Sequence, residues 1–458
     1  MTDGDIPNGF TGFSHRKPLG FESASSAMRN RPPEPAPRAS RPASASHPPA
    51  ASGFQYTRDR SRDREPQQLD QERLDAISPT NRRWSWSEVD LSAIRHNAMA
   101  VKRHIGAGVH LMAVVKADAY GHGAVRCAKT ALNSGADYLG VATVQEAIEL
   151  REAQINAHIL ILSEPPIEAI PLLLGYGVMP SVYTPEFAIA YGEAADSLGM
   201  SAPYHLALNT GMNRIGVDYD EVIEFMRQVN FHRALELAGV FTHFATADCA
   251  ETFDFQKQAN RFADAVVALR TAGIDPGIVH AANSAAAIRY PQVYYDMVRL
   301  GIGLYGFHPC EQTRSMIDLR EAMTVHARIT DVRQVPVSEG VSYGLNYRSS
   351  GSVKICTIPI GYADGLSRAL SGRTGVVIQG QRVRQVGNIC MDQCMFEVDM
   401  RSYGLRRRID PQIGDEVLLV GRQDEAEMTI DEMAEMLGTI QHEVSIGFGC
   451  SRMPRLYV

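Results

Sequence analysis

The chain has 458 residues, 45% hydrophobic and 21% charged, with a formal net charge of −7. This is length for about two to four domains of ordinary globular composition. The acidic balance lacks the basic excess of a nucleic-acid binder, and no apolar run approaches the ~18 residues of a membrane span. The opening MTDGDIPNGF lacks the basic-then-apolar pattern of a secretory signal. The seven cysteines are scattered, with Cys390 and Cys394 the only close pair and no zinc-type spacing around them. Free thiols in a reducing cytoplasm, without a metal, are expected.

Residues 1–83 hold 11 of the 24 prolines, set among Ser, Ala and Arg. Apolar residues there are too sparse to repay ordering, so a disordered tail is expected. A start codon placed upstream of the true one is the alternative. From Trp84 the pattern becomes globular. Asp90 is a good helix N-cap, and Leu91, Ile94, Ala98, Val101 and Ile105 follow at helical spacing. The apolar run Val109–Val115 reads as a buried strand that stops at Lys116. Ala124–Leu132 reads as a helix and Tyr138–Ala142 as a strand. Further strands are expected at His158–Leu162, Val178–Val182, Tyr204–Leu208, Leu237–Thr242, Gly277–Ala281 and Asp296–Leu300, with a helix over Phe253–Ala272. Eight strands alternating with helices suit a parallel α/β barrel over 84–320. Strand counting leaves a doubly wound open sheet as the alternative. Near residue 320 the pattern changes. Strands around Val325–Val332, Ile355–Ile360, Gly375–Ile378 and Val417–Val420, with one clear helix at Ile430–Leu437, predict a mostly β domain over 321–458.

Reactive groups of such barrels collect where strands end. Lys116 lies at a strand end, in AVVKADAYGHG. A lone strand-end lysine is most simply solvated. A partly buried one has a lowered pKa and can form an imine with an aldehyde cofactor. The stretch MAVVKADAYGHG resembles the cofactor-lysine motif of the alanine racemases, and the similarity extends from about Trp86 to the C-terminus. The resemblance implies an eight-stranded barrel, a C-terminal β domain and a head-to-tail homodimer with shared sites. It also implies pyridoxal phosphate held by Lys116, with Tyr120 near the phosphate.

Other segments extend the resemblance residue by residue. VSYG carries Tyr343, implied as the second catalytic base, reaching into the partner's barrel. Racemisation needs a proton-exchanging group on each face of the α-carbon, and lysine and tyrosine can divide that work. In DMVRLGI, Arg299 is implied to face the pyridine nitrogen. An arginine cannot protonate the ring as a carboxylic acid would, so the electron sink is weaker and quick reprotonation is favoured. In VHAANS, Ser284 is implied as a phosphate contact, joined by the backbone of Gly301 and Ile302. His280 is implied as the partner of Arg299, and His243 as the residue orienting the catalytic tyrosine. GNICMDQ places Met391 and Asp392 at the substrate mouth, and GYADG places Tyr362 at the entrance. Arg214 is implied to bind the substrate carboxylate.

Two departures stand out. Many family members support Arg214 with a carbamylated lysine where this chain has Ala207, and the usual Asp is Asn209. Arg214 is then expected to be held otherwise, by Asn209 with an anion such as chloride. Ser451 stands where some members place a phosphate-binding tyrosine. The implied reaction interconverts L- and D-alanine for peptidoglycan, with Lys116 serving the D-isomer and Tyr343 the L-isomer. The alternatives are a broad-specificity amino-acid racemase, an amino-acid decarboxylase of the same barrel, and a cofactor-carrying homeostasis protein without turnover.

Overall fold

The computed structural model describes residues 77–229, 231–399 and 409–458. The expected disorder of the proline-rich segment falls almost wholly outside them. Its described end forms a helical turn at Pro79–Arg82, and Arg83 NH1 pairs with Asp364 Oδ1 at 2.7 Å.

Strand β1 (Ser85–Val89) leads into the helix Leu91–Ile105. Asp90 caps that helix, its Oδ1 accepting from Ser92 N at 2.7 Å and Ala93 N at 3.1 Å. A carboxylate here satisfies two of the amide donors that a helix start leaves unpaired. Ile94, Ala98, Val101 and Ile105 are buried, as their spacing predicts.

Eight parallel strands follow: β2 (His110–Val114), β3 (Tyr138–Val141), β4 (His158–Ile161), β5 (Met179–Val182), β6 (Ala202–Asn209), then, after the two-residue β7 (Val217–Asp218) beside β6, β8 (Leu235–Phe241), β9 (Ile278–His280) and β10 (Met297–Leu300). Each barrel strand lies beside the next. The circle closes where β10 pairs with β2, Leu300 opposite Ala113. A closed ring has no edge strands, so the open doubly wound sheet is excluded.

The C-terminal region adds β11 (Met323–Arg328), β12 (Asp331–Val335), the ribbon β13 (Gly340–Val341) and β14 (Tyr347–Arg348), β15 (Val353–Ile358), β16 (Gly375–Ile378), β17 (Gln381–Val386), β18 (Cys394–Asp399), β19 (Glu416–Gln423), β20 (Ala426–Met428) and β21 (Arg455–Tyr457). One sheet runs β12-β15-β18-β17-β16-β19-β11-β1-β21. β1, which a boundary at residue 84 assigns to the barrel, therefore lies in the second sheet. It is antiparallel to β11, with Ser85 opposite Ala327, and parallel to β21, with Ser87 opposite Arg455. Helix Ile430–Leu437 forms as expected. A second helix, Gln441–Gly449, was not expected, because Gly447 and Gly449 dilute its helical pattern while Val444 and Phe448 still pack inward.

Candidate active site

Lys116 leaves β2 at the carboxyl end of the barrel. The four residues after it, Ala117, Asp118, Ala119 and Tyr120, have φ of 52°, 51°, 54° and 54°. None is glycine, so this left-handed turn costs roughly 1–2 kcal/mol per residue. Named side chains offset that cost. Glu146 Oε1 accepts from Ala117 N at 2.7 Å, while Oε2 accepts from Ala142 N at 2.7 Å. Asp118 Oδ1 accepts from Ala124 N at 2.7 Å. His122 Nδ1 faces two carbonyls, Ala119 O and Tyr120 O, each at 3.1 Å, so it is the donor. Burial lowers the His122 imidazole to about 4 and keeps it neutral. Gly121 has φ 84°, and a Cβ there would lie 2.7 Å from Ser445 O.

Lys116 is half-buried and Nζ makes no hydrogen bond to a described residue. Burial lowers its pKa, the charge of Arg214 lowers it further, Glu146 opposes and Arg299 adds to the lowering. The result favours the neutral amine, the nucleophilic form.

Arg299 is buried on β10. Its NH1 reaches His280 Nδ1 at 2.9 Å and His280 O at 3.2 Å. Its NH2 reaches Thr242 O at 2.7 Å, Ala281 O at 3.0 Å and His243 Nδ1 at 3.1 Å. Every acceptor is neutral. Burial and the nearby Arg214 lower this guanidinium to about 9. A guanidinium only donates, so His280 and His243 each accept at Nδ1 and carry their proton on Nε2. His280 Nε2 then donates to His205 Nδ1 at 2.9 Å.

Ser284 follows β9 at the start of a short helix. Its Oγ accepts from Gly301 N at 2.9 Å, just past β10, and from Gly303 N at 3.4 Å. Ile302 is buried beside them. A Cβ at Gly301 would lie 2.8 Å from the Tyr120 hydroxyl, so that glycine admits the tyrosine. Backbone donors after β10, the Ser284 hydroxyl after β9 and the Tyr120 phenol thus converge on one spot, as an anion site requires.

Lys116, Tyr120, Ser284, Arg299, Gly301, Ile302, His243 and His280 are therefore gathered at one end of the barrel. Arg214, in the loop after β6, is exposed, and its charge bears on Lys116, His243 and Arg299. The four C-terminal residues form a separate group. Tyr343 is 75% exposed, and its carbonyl accepts from Asn388 Nδ2 at 2.7 Å. Met391 and Tyr362 are also exposed; Tyr362 N donates to Cys390 O and Ala363 N to Met391 O. Asp392 pairs with Arg452, which also donates to the buried Asp364 at 2.9 Å.

One expectation is corrected. Asn209 does not hold Arg214. Its Nδ2 donates to Asn213 Oδ1 at 3.0 Å and Asp218 Oδ1 at 2.8 Å, and its Oδ1 accepts from Gly211 N and Asn213 N. It shapes the loop instead. Ser451, whose contact with a phosphate the sequence leaves open, follows its helix, donating to Phe448 O at 2.7 Å and accepting from Met453 N. Sequence reasoning also passed over Glu146, His205 and His442, whose ring lies 5.4 Å from that of Tyr120. Only Glu146 carried a signal: Thr143-x-x-Glu146 is a capping box, and the box forms.

Residues 89–309 match the family described as "Alanine racemase, N-terminal domain", and residues 322–457 match "Alanine racemase, C-terminal domain". The chain belongs to the alanine racemase family. An alanine racemase of Synechocystis is 42% identical over 380 residues, covering 82% of this chain and all of that protein. Alanine racemase 1 of Bacillus subtilis is 40% identical over 377 residues, covering 82% of this chain and 93% of its own. The crystal structure of the Bacillus anthracis alanine racemase superposes with a TM-score of 0.76 at 37% identity, covering 82% of this chain and 95% of that one. Alanine racemases depend on pyridoxal phosphate, and the residues present fit it. Lys116 Nζ, Arg299 Nε and His243 Nε2 have no protein partner among the described residues, and Ser284 with the Gly301 backbone stands at the same barrel end.

Proposed function

We propose that the chain racemises alanine with pyridoxal phosphate, using Lys116 and Tyr343 of the partner subunit as its two proton-exchanging groups. The observation that carries this is Arg299, buried among neutral acceptors only. A carboxylate in its place would suit a decarboxylase. Lys116 would hold the cofactor, Ser284 with the Gly301 and Ile302 backbone and Tyr120 would receive its phosphate, and Arg299 would face its ring. The bound group supplies an electron sink that acidifies the α-proton of an attached amino acid.

Lys116 Nζ takes the proton from the D-isomer and returns it when the L-isomer is consumed. Tyr343 Oη does the converse on the other face. His243, with its proton fixed on Nε2 by Arg299, is a donor suited to a tyrosine oxygen. Arg214 receives the substrate carboxylate, with Met391 and Tyr362 narrowing the mouth and Asp392 anchoring that loop. The exposure of Tyr343, Leu345, Met391 and Tyr362 on one protomer supports a homodimer that covers them. The seven unpaired cysteines suit a cytoplasmic setting. A supply of D-alanine for peptidoglycan is the role that fits this reaction.

The test is α-deuterium washout over a panel of L- and D-amino acids. Alanine should exchange fastest, and exchange of lysine or arginine at an equal rate would sink the alanine assignment. Tyr343→Phe should lose about 10²–10⁴-fold in L-alanine turnover, measured by the same assay.

A further inference from the structure

We propose that Arg455 is a positioning residue for Lys116, acting through Asp118 from the C-terminal sheet of the same protomer. Arg455 lies on β21. Its NH2 donates to Asp118 Oδ2 at 2.6 Å and to Gly449 O at 2.6 Å. Asp118 sits inside the left-handed turn, two residues after Lys116 and two before Tyr120. Both its oxygens are engaged, Oδ1 by Ala124 N from the barrel helix and Oδ2 by Arg455 from the other domain.

Non-glycine residues do not stay in left-handed conformation unless something holds them there. Glu146 holds the start of this turn and His122 its end. Arg455 holds the middle, and it alone of the three is supplied by the second domain. The approach is built for it. A side chain at Gly123 would strike Tyr457 Oη at 1.9 Å and Arg455 NH1 at 2.6 Å. The Gly449 carbonyl that Arg455 also grips ends the helix carrying His442, whose ring packs against Tyr120. Relaxation of the turn would therefore shift Lys116 and Tyr120 together. The C-terminal domain thus serves its own barrel by this ion pair, besides any residue it lends to a partner.

The inference rests on Lys116 as the cofactor lysine, which borohydride reduction and peptide mapping test separately. A label on another lysine would end that reading. A label on Lys116 with silent Arg455 variants would end the brace alone. The experiment compares Arg455→Met, Arg455→Lys, Asp118→Asn and the Asp118→Asn/Arg455→Met double variant as cofactor-loaded enzymes. Met and Asn should each lower kcat for alanine by about 10–100-fold with KM nearly unchanged, as expected for a misplaced reacting group. They should also alter the visible absorbance of the bound cofactor. The double variant should fall no further than the singles, and Arg455→Lys should recover most of kcat. Wild-type kcat and spectrum in Arg455→Met, or losses that multiply in the double, overturn the proposal. Should Arg455→Met not fold, Asp118→Asn decides. Reduced kcat at unchanged KM supports the brace, and wild-type kcat overturns it.

Discussion

Arg214 is an exposed cation without a hydrogen-bonded or ion-paired partner among the described residues, although Ala207 and Asn209 replace its usual support in the family. Its charge is the largest electrostatic influence on Lys116 after burial. Arg214→Ala should raise KM for alanine by about 10–100-fold, the worth of one hydrogen bond to a charged group at ~1.5–3 kcal/mol. It should also raise the Lys116 pKa toward the ordinary lysine value, moving the corresponding limb of the pH–rate profile upward. An unchanged KM in steady-state assays would remove Arg214 from the carboxylate site. The identity of Arg214 was legible in the sequence; its support was not. Asn209 is spent on its own loop, and which atoms its amide meets depends on how the segment after β6 folds.

The left-handed turn after Lys116 is where the barrel and the C-terminal helix meet backbone to backbone. A Cβ at Gly449 would lie 1.9 Å from Gly121 O, with no flexible side chain to yield. Gly449→Ala should therefore destabilise by about 3 kcal/mol or more. Gly447→Ala, in the same helix with its nearest atom at 3.5 Å, should stabilise by up to ~1 kcal/mol. Urea denaturation of both variants checks the contrast, and equal midpoints would refute it. Elements with strong local signals were legible, among them the capped helix after Asp90, the eight apolar strands and the helix at Ile430–Leu437. β1 was invisible as a member of the second sheet, because its partners lie more than 200 residues later. The helix Gln441–Gly449 was hidden because its glycines serve close packing rather than helix propensity.

At the scale of the whole molecule, among the described residues, the buried His122, His205 and His280 and the half-buried His243 are held neutral. Burial lowers His122 to about 4; burial and the Arg299 charge lower His205 and His243 to about 3 and His280 well below its ordinary value. From about pH 6.5 downward the unfolded chain takes up protons that the folded one refuses. Stability should therefore hold above pH 6.5 and fall as pH drops toward 4, by at most about 1.4 kcal/mol per pH unit for each histidine. Urea midpoints measured from pH 8 to 4.5 test this, and a flat profile would contradict it. The sequence by itself determined the alternation of strands and helices, the cofactor-lysine motif and the family, because these are written in local spacing and residue type. Only the tertiary structure decided that the sheet closes, that Arg299 has no acidic neighbour among the described residues, and that Lys116 stands on a strained turn held partly from another domain. Such facts depend on which distant side chains meet, and local spacing does not specify distant contacts.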